Sequence, residues 1–304
     1  MAHGTNKGSL VKQISDTLAD KTAFGQSKYQ AKQDRTAGDY IYSFSTLETY
    51  MKHCNYFAKW CRDNPSITAE LGHKARTLDE IRPFAGQWIS DRIDAGLSPY
   101  TIKLESSALC KLYGRSAEDL QLPPTPERKR QDITRSRNDA VRDKHFSVSK
   151  NAPLIAFCKN SGLRRRELCE LRYKDIICEH GQMEILVRNG KGGKQRIVPV
   201  LDPDAVLRLR PDLLSGEPEA HVWDKVHSGA DIHAYRADYA TALYESLARP
   251  LDVLSRKEKY YCRGDLKGIV YDKNAMLQVS RALGHNRINV IAEHYLWGGS
   301  GGGR

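Results

Sequence analysis

The stretch Leu122-Pro123-Pro124-Thr125-Pro126 constrains the fold of this chain more than any other. Proline lacks the amide hydrogen that a helix or sheet ladder needs, and its ring clashes with the preceding turn, so no regular element runs through this stretch. Two units joined here are therefore expected. A chain of 304 residues is long enough for two cores of ordinary size.

Before the prolines, the apolar pattern is helical. Residues 1–44 are polar and mixed, with one weak helical stretch around Leu10 to Leu18, and are expected to form an arm of undecided order. Ser45-Thr46-Leu47-Glu48 has the form of a capping box, and Leu47, Tyr50, Met51, Cys54, Phe57, Ala58 and Cys61 follow at helical spacing. Thr77-Leu78-Asp79-Glu80 is a second box, although Pro83 fits only near a first turn and shifts the main helix later. Gly96 ends that helix, and Ser98-Pro99 opens another with cap and first-turn chemistry. Residues 45–121 thus predict a small helical domain. Residues 122–145 predict a linker rich in Arg128, Lys129, Arg130, Arg135, Arg137, Arg142 and Lys144, either a solvated face or a contact with a polyanion.

From residue 146 the pattern is mixed. Helices are expected over Asn151–Asn160, from the arginine cluster at Arg164, over Ala234–Leu247 and over Asn274–Leu283. Met183–Arg188 and Gln195–Val200 alternate as strands around Asn189-Gly190-Lys191-Gly192-Gly193-Lys194, a loop of hairpin composition. The expected class is mainly α with a small β-hairpin or sheet (α+β), the mixed domain covering residues 146–297 and a flexible glycine-rich tail covering 298–304.

Charged residues make up 28% and hydrophobic residues 40% of the chain, a globular balance, and the formal charge of +11 favours a polyanionic partner, nucleic acid first. No run of about 18 apolar residues is present, as a membrane span would require. The N-terminus lacks the apolar core of a secretory signal. The seven cysteines include no Cys-x-x-Cys pair, which points away from a zinc knuckle and towards buried thiols in a reducing compartment. A cytoplasmic location is expected, nucleoid-associated when the protein is bound to DNA.

Several residue types in the second half suit metal-free phosphodiester transfer. A tyrosine makes a good covalent nucleophile because its phenolate also leaves readily, and Tyr295, a short distance after His285, is the candidate among 15 tyrosines. Arginine forks grip two phosphate oxygens and stabilise charge developing on them. Arg164 follows a Ser-Gly-Leu turn, with Arg165 and Arg166 as rivals; Arg236 lies one helical turn after His233. A phosphate-facing lysine can protonate the departing oxygen, and Lys191 sits on the glycine-rich turn with Lys194 as its rival.

With these residues in view, the chain resembles a tyrosine recombinase of the phage-integrase type. The resemblance rests on SGLRRRELCELRYKDI (161–176), NGKGGKQRIVPV (189–200), HAYRADYAT (233–241) and LGHNRINVIAEHY (283–295), in the family's order. It implies a two-domain clamp with a helical core-binding domain and a catalytic domain. Arg164 and Arg236 would hold the scissile phosphate, and Lys191 would be the general acid. His233 and His285 would assist proton movement, and Tyr295 would form the 3′-phosphotyrosyl link. Glu167 matches a position that supports the arginine helix, and His294 matches no catalytic position. Further candidate DNA contacts are Arg128, Lys129, Arg130, Lys194, Arg196 and Arg287.

The implied partners are double-stranded DNA attachment sites and, on DNA, three further copies of a chain that is monomeric when free. Accessory DNA-bending or directionality proteins are also implied; a membrane, metal, ATP or other cofactor is not. A mobile genetic element is the favoured setting.

Three departures from the pattern stand out. Ala237 replaces a common histidine, and the stretch from Arg236 to His285 is long, including Arg256-Lys257-Glu258-Lys259-Tyr260-Tyr261-Cys262-Arg263 as a possible DNA or subunit contact. Leu296-Trp297 and the glycine tail are a poor version of the C-terminal segment that relatives lend to a neighbour. Either assembly uses another surface, or the chain is trimmed or extended artificially. Two other readings remain: a type IB topoisomerase-like enzyme, and a DNA-binding or architectural protein with a decayed site.

Overall fold

The computed structural model describes residues 8–26, 28–127, 146–190, 193–285 and 287–296. The chain divides into two compact units, Met1–Arg128 and Lys129–Arg304, each with its own apolar core.

Among the described residues, the first unit is helical: α1 Leu10–Ala19, α2 Lys28–Gln33, α3 Phe44–Asp63, α4 Pro65–Leu71, α5 Leu78–Ile81, α6 Ala85–Asp94 and α7 Pro99–Tyr113. Here the expected arm is corrected. Ser9 caps α1 by accepting from the Lys12 amide, and Leu10, Ile14 and Leu18 recur one turn apart, which buries one stripe in the same core as Phe57, Trp88 and Leu109. The helix belongs to the unit's core.

The start of α3 also differs from expectation. Ser43, in extended backbone, accepts from the Thr46 amide, so the cap falls two positions before Ser45. The Thr77–Glu80 capping box forms, but it caps only the short α5; a 3₁₀ turn holding Pro83 follows, and α6 begins at Ala85. Ser98 caps α7, and left-handed Gly114 ends it.

The second unit contains α8 Ala152–Ser161, α9 Arg165–Glu170, β1 Ile176–Glu179, β2 Gln182–Val187, β3 Arg196–Pro199, α10 Pro203–Leu209, α11 Ile232–Leu247, β4 Lys259–Tyr261, β5 Val270–Asp272, α12 Lys273–Ala282 and α13 Asn289–His294. The strands β1, β2 and β3 form an antiparallel sheet in that order, with Ile185 opposite both Ile176 and Val198. Met183, Ile185 and Val187 alternate inward from β2. The strand β1 was not expected. Its turn to β2 is His180-Gly181, both at positive φ, the geometry of a tight hairpin turn.

The long stretch after α11 is an ordered ladder of β4 and β5, pinned at its base. Arg249 donates to both Asp272 carboxylate oxygens at 2.8 and 3.0 Å and to Glu258 at 2.8 Å, which holds the Asp272 carboxyl down at about 2. The cysteines divide unevenly: Cys54, Cys61, Cys158 and Cys262 are buried, while Cys169 and Cys178 are exposed. Among the described residues, no helix is long and apolar enough to cross a membrane.

Gly162 brings the two halves of the site together. It ends α8 at φ +58°, and a Cβ built there would lie 2.3 Å from the Tyr239 ring of α11. Gly162→Ala is expected to cost about 2–3 kcal/mol, combining backbone strain with overpacking. Denaturant titration of the full chain checks this. An unshifted midpoint would contradict so close an approach.

Candidate active site

Arg164, Arg165 and Arg166 are adjacent in sequence, yet the fold gives each a different task. Arg165 donates to the carbonyls of Val226, His227, Ser228 and Ala230, tying α9 to the loop before α11. Arg166 points into solvent and pairs with Glu170 on its own helix at 2.7 Å. Arg164 faces inward. Its Nη1 donates to Glu167 Oε1 at 2.8 Å and its Nη2 to the Leu283 carbonyl at 3.0 Å.

Arg236 comes from the inner face of α11 and is 1% exposed. Its guanidinium donates to the Gly162 and Leu283 carbonyls and, through Nε, to the Tyr295 hydroxyl at 3.3 Å. The Leu283 oxygen thus accepts from both guanidinium groups, using both lone pairs and setting their spacing. Burial pushes the Arg236 guanidinium down from its ordinary value; the nearby Tyr295 works against this and Arg164 works with it. A guanidinium has five N–H donors, and the contacts with described residues leave one free hydrogen on each terminal nitrogen.

Left-handed Gly284 follows α12 and turns the chain so that His285 Nε2 lies 3.2 Å from the Tyr295 hydroxyl. Tyr295 ends α13, its amide bonded to Ile291, and is partly buried. The phenol is therefore held between a guanidinium and an imidazole.

Glu167 lies beneath this arrangement. Its carboxylate accepts from the Arg164 amide and guanidinium and from both terminal nitrogens of Arg196 at 2.8 and 2.9 Å. Burial alone would raise its pKa, but Arg196 and then Arg164 outweigh this and bring it to about 2.

The structure therefore brings together Arg164, Arg236, His285 and Tyr295. His233 is exposed on the first turn of α11, one turn before Arg236. Lys194 and Arg287 are exposed. Lys191, Arg128, Lys129 and Arg130 lie outside the described residues.

Arg196, expected among the DNA contacts, faces into the protein. Its side chain is 9% exposed, and its donors face Glu167 and, through Nε at 2.8 Å, the Ala282 carbonyl. Among the described residues, no group of three or more His, Cys, Asp or Glu is placed to hold a metal ion.

Residues 130–226 match the phage integrase family. Tyrosine recombinase XerC of Xanthomonas campestris pv. campestris (strain B100) is 34% identical over 209 residues, covering 62% of this chain and 59% of the relative. XerC of Xanthomonas axonopodis pv. citri (strain 306) is 28% identical over 178 residues, covering 52% and 56%. The chain thus spans somewhat under three fifths of the length of these relatives.

Among solved structures, the XerH site-specific recombinase bound to difH substrate in a pre-cleavage complex superposes with a TM-score of 0.52 at 18% identity. The match covers 95% of this chain and 92% of that one, a likeness of fold. Over residues 130–226 the chain is thus similar to the phage integrase family. The relatives it resembles are tyrosine recombinases named XerC.

Proposed function

We propose that the chain is a site-specific DNA recombinase or integrase that cuts and rejoins strands through a 3′-phosphotyrosyl intermediate at Tyr295. One observation carries this reading. The Tyr295 hydroxyl hydrogen-bonds both Arg236 and His285, and Arg236 shares the Leu283 anchor with Arg164.

In this mechanism Arg164 and Arg236 grip the non-bridging oxygens of the scissile phosphate and stabilise the charge that gathers there. The phenolic oxygen of Tyr295 bonds to phosphorus as the bond to the 5′ oxygen breaks. Lys191 gives its proton to that oxygen, and His285 and His233 assist proton movement. Rejoining is the reverse reaction with a 5′ hydroxyl from the partner duplex. One phosphoester bond is exchanged for another, so the cycle needs no nucleotide. Four subunits on two duplexes would exchange strands through a four-way junction. The substrates would be attachment sites in double-stranded DNA, and the setting a cytoplasmic, nucleoid-associated one.

The test uses duplexes carrying repeats taken from DNA beside the gene, nicked next to the expected cleavage point. A covalent adduct that yields phosphotyrosine, together with recombinant product from a two-site duplex, is expected. Adduct with relaxation but no recombinant would favour a topoisomerase-like enzyme. Binding without adduct would leave a DNA-binding protein.

A further inference from the structure

We infer that Arg196 is a positioning residue that sets the geometry of Arg164 and the His285 turn, and that it makes no contact with DNA. The inference rests on the recombinase reading above.

Three segments of the site meet around this one side chain. Its terminal nitrogens hold both oxygens of Glu167, the carboxylate that in turn holds the Arg164 fork and amide. Its Nε holds the Ala282 carbonyl, at the end of α12 immediately before the Leu283 anchor. Its stem lies under Gly284, where a Cβ would come within 3.1 Å of Arg196 Cδ. A Cβ on Gly190, next to the lysine-bearing turn, would come within 2.8 Å of Arg196 Nη1. Both glycines leave room for this guanidinium.

The planar fork of Arg196 therefore fixes three distances at once: α9 to β3, β3 to the end of α12, and β3 to the start of the glycine-rich loop. A lysine keeps the charge but cannot match two carboxylate oxygens and a carbonyl in one plane. Misplacing a reacting group by about 1 Å costs on the order of 100-fold in rate. Losing a phosphate contact would instead weaken DNA binding and lower its salt dependence.

The experiment compares full-length wild type, Arg196→Lys and Arg196→Met on a nicked duplex. It measures the single-turnover rate of adduct formation, its pH profile and DNA affinity across a salt series. Melting temperatures identify variants that fold, and Arg196→Lys carries the test if Arg196→Met does not. For the methionine variant, the adduct rate is expected to fall on the order of 100-fold, with the lysine variant recovering part of the loss and the salt slope unchanged.

The acid limb should also move to higher pH in the methionine variant. Arg164, Arg196 and Arg236 are the charged groups facing the buried Glu167 carboxyl, and removing one lets it protonate more readily. An unimpaired rate, or a salt slope lower by about one phosphate contact, overturns the inference while the recombinase reading stands. Failure of the wild type to form adduct overturns that reading and the inference with it.

Discussion

Tyr295→Phe is expected to abolish covalent adduct formation, a loss on the order of 10⁴-fold or more, as when any sole nucleophile is removed. The change deletes one oxygen and keeps the ring, which lies 5.6 Å from the Arg236 guanidinium carbon. The backbone of residue 295 keeps its bond to Ile291. Fold and DNA affinity should therefore persist, with stability lowered by about 1 kcal/mol for the Arg236 Nε donor left unpaired. The check is a denaturing gel of nicked duplex with each protein, beside a binding titration. Adduct from the phenylalanine protein would show that another residue attacks.

Arg236→Lys is the second large effect, expected to slow adduct formation by about 10²- to 10³-fold, the usual cost of removing one donor from a preorganised charge-stabilising site. Arg236 reaches two carbonyls and the phenol with three differently directed nitrogens. A lysine presents its donors from one point, so at least one buried acceptor loses its partner. Stability should fall by about 1–3 kcal/mol, read by thermal melting. Single-turnover rates measured at saturating DNA separate the chemical loss from any weakening of binding. A rate within about threefold of wild type would be uniform loss of binding at most, and would remove Arg236 from the phosphate clamp.

Much of the local structure was legible because it is made by neighbours in the chain. The Thr77 box and the Ser98 cap are contacts across three residues, and the alternation of β2 follows from the pleat. Where expectation and structure part, the competing signals were close in kind. Ser43 and Ser45 are equally good caps by type, and only the backbone at Ser43 is extended. The missing strand β1 had a signal in Gly181, which makes a tight turn with His180, a less common partner there than asparagine. The three apolar positions of α1 were visible but too few to show that a core would receive them.

The candidate site divides in the same way. Residue types and their order were enough to nominate a phenol, two guanidiniums and an imidazole, because the chemistry of phosphoester transfer restricts which side chains can serve. Choosing Arg164 over Arg165 and Arg166 required a carbonyl 119 positions away, and placing Arg196 inside the protein required the end of α12, 86 positions away.

The amino-acid order alone determined the helix caps, the break at Pro123 and the kinds of reactive group available, since each depends on atoms within a few residues. Only the tertiary structure decided which arginine meets the phenol and which bind carbonyls and carboxylates. Adjacent positions have nearly the same local environment, and the partners that distinguish them come from remote segments packed by burial of the core.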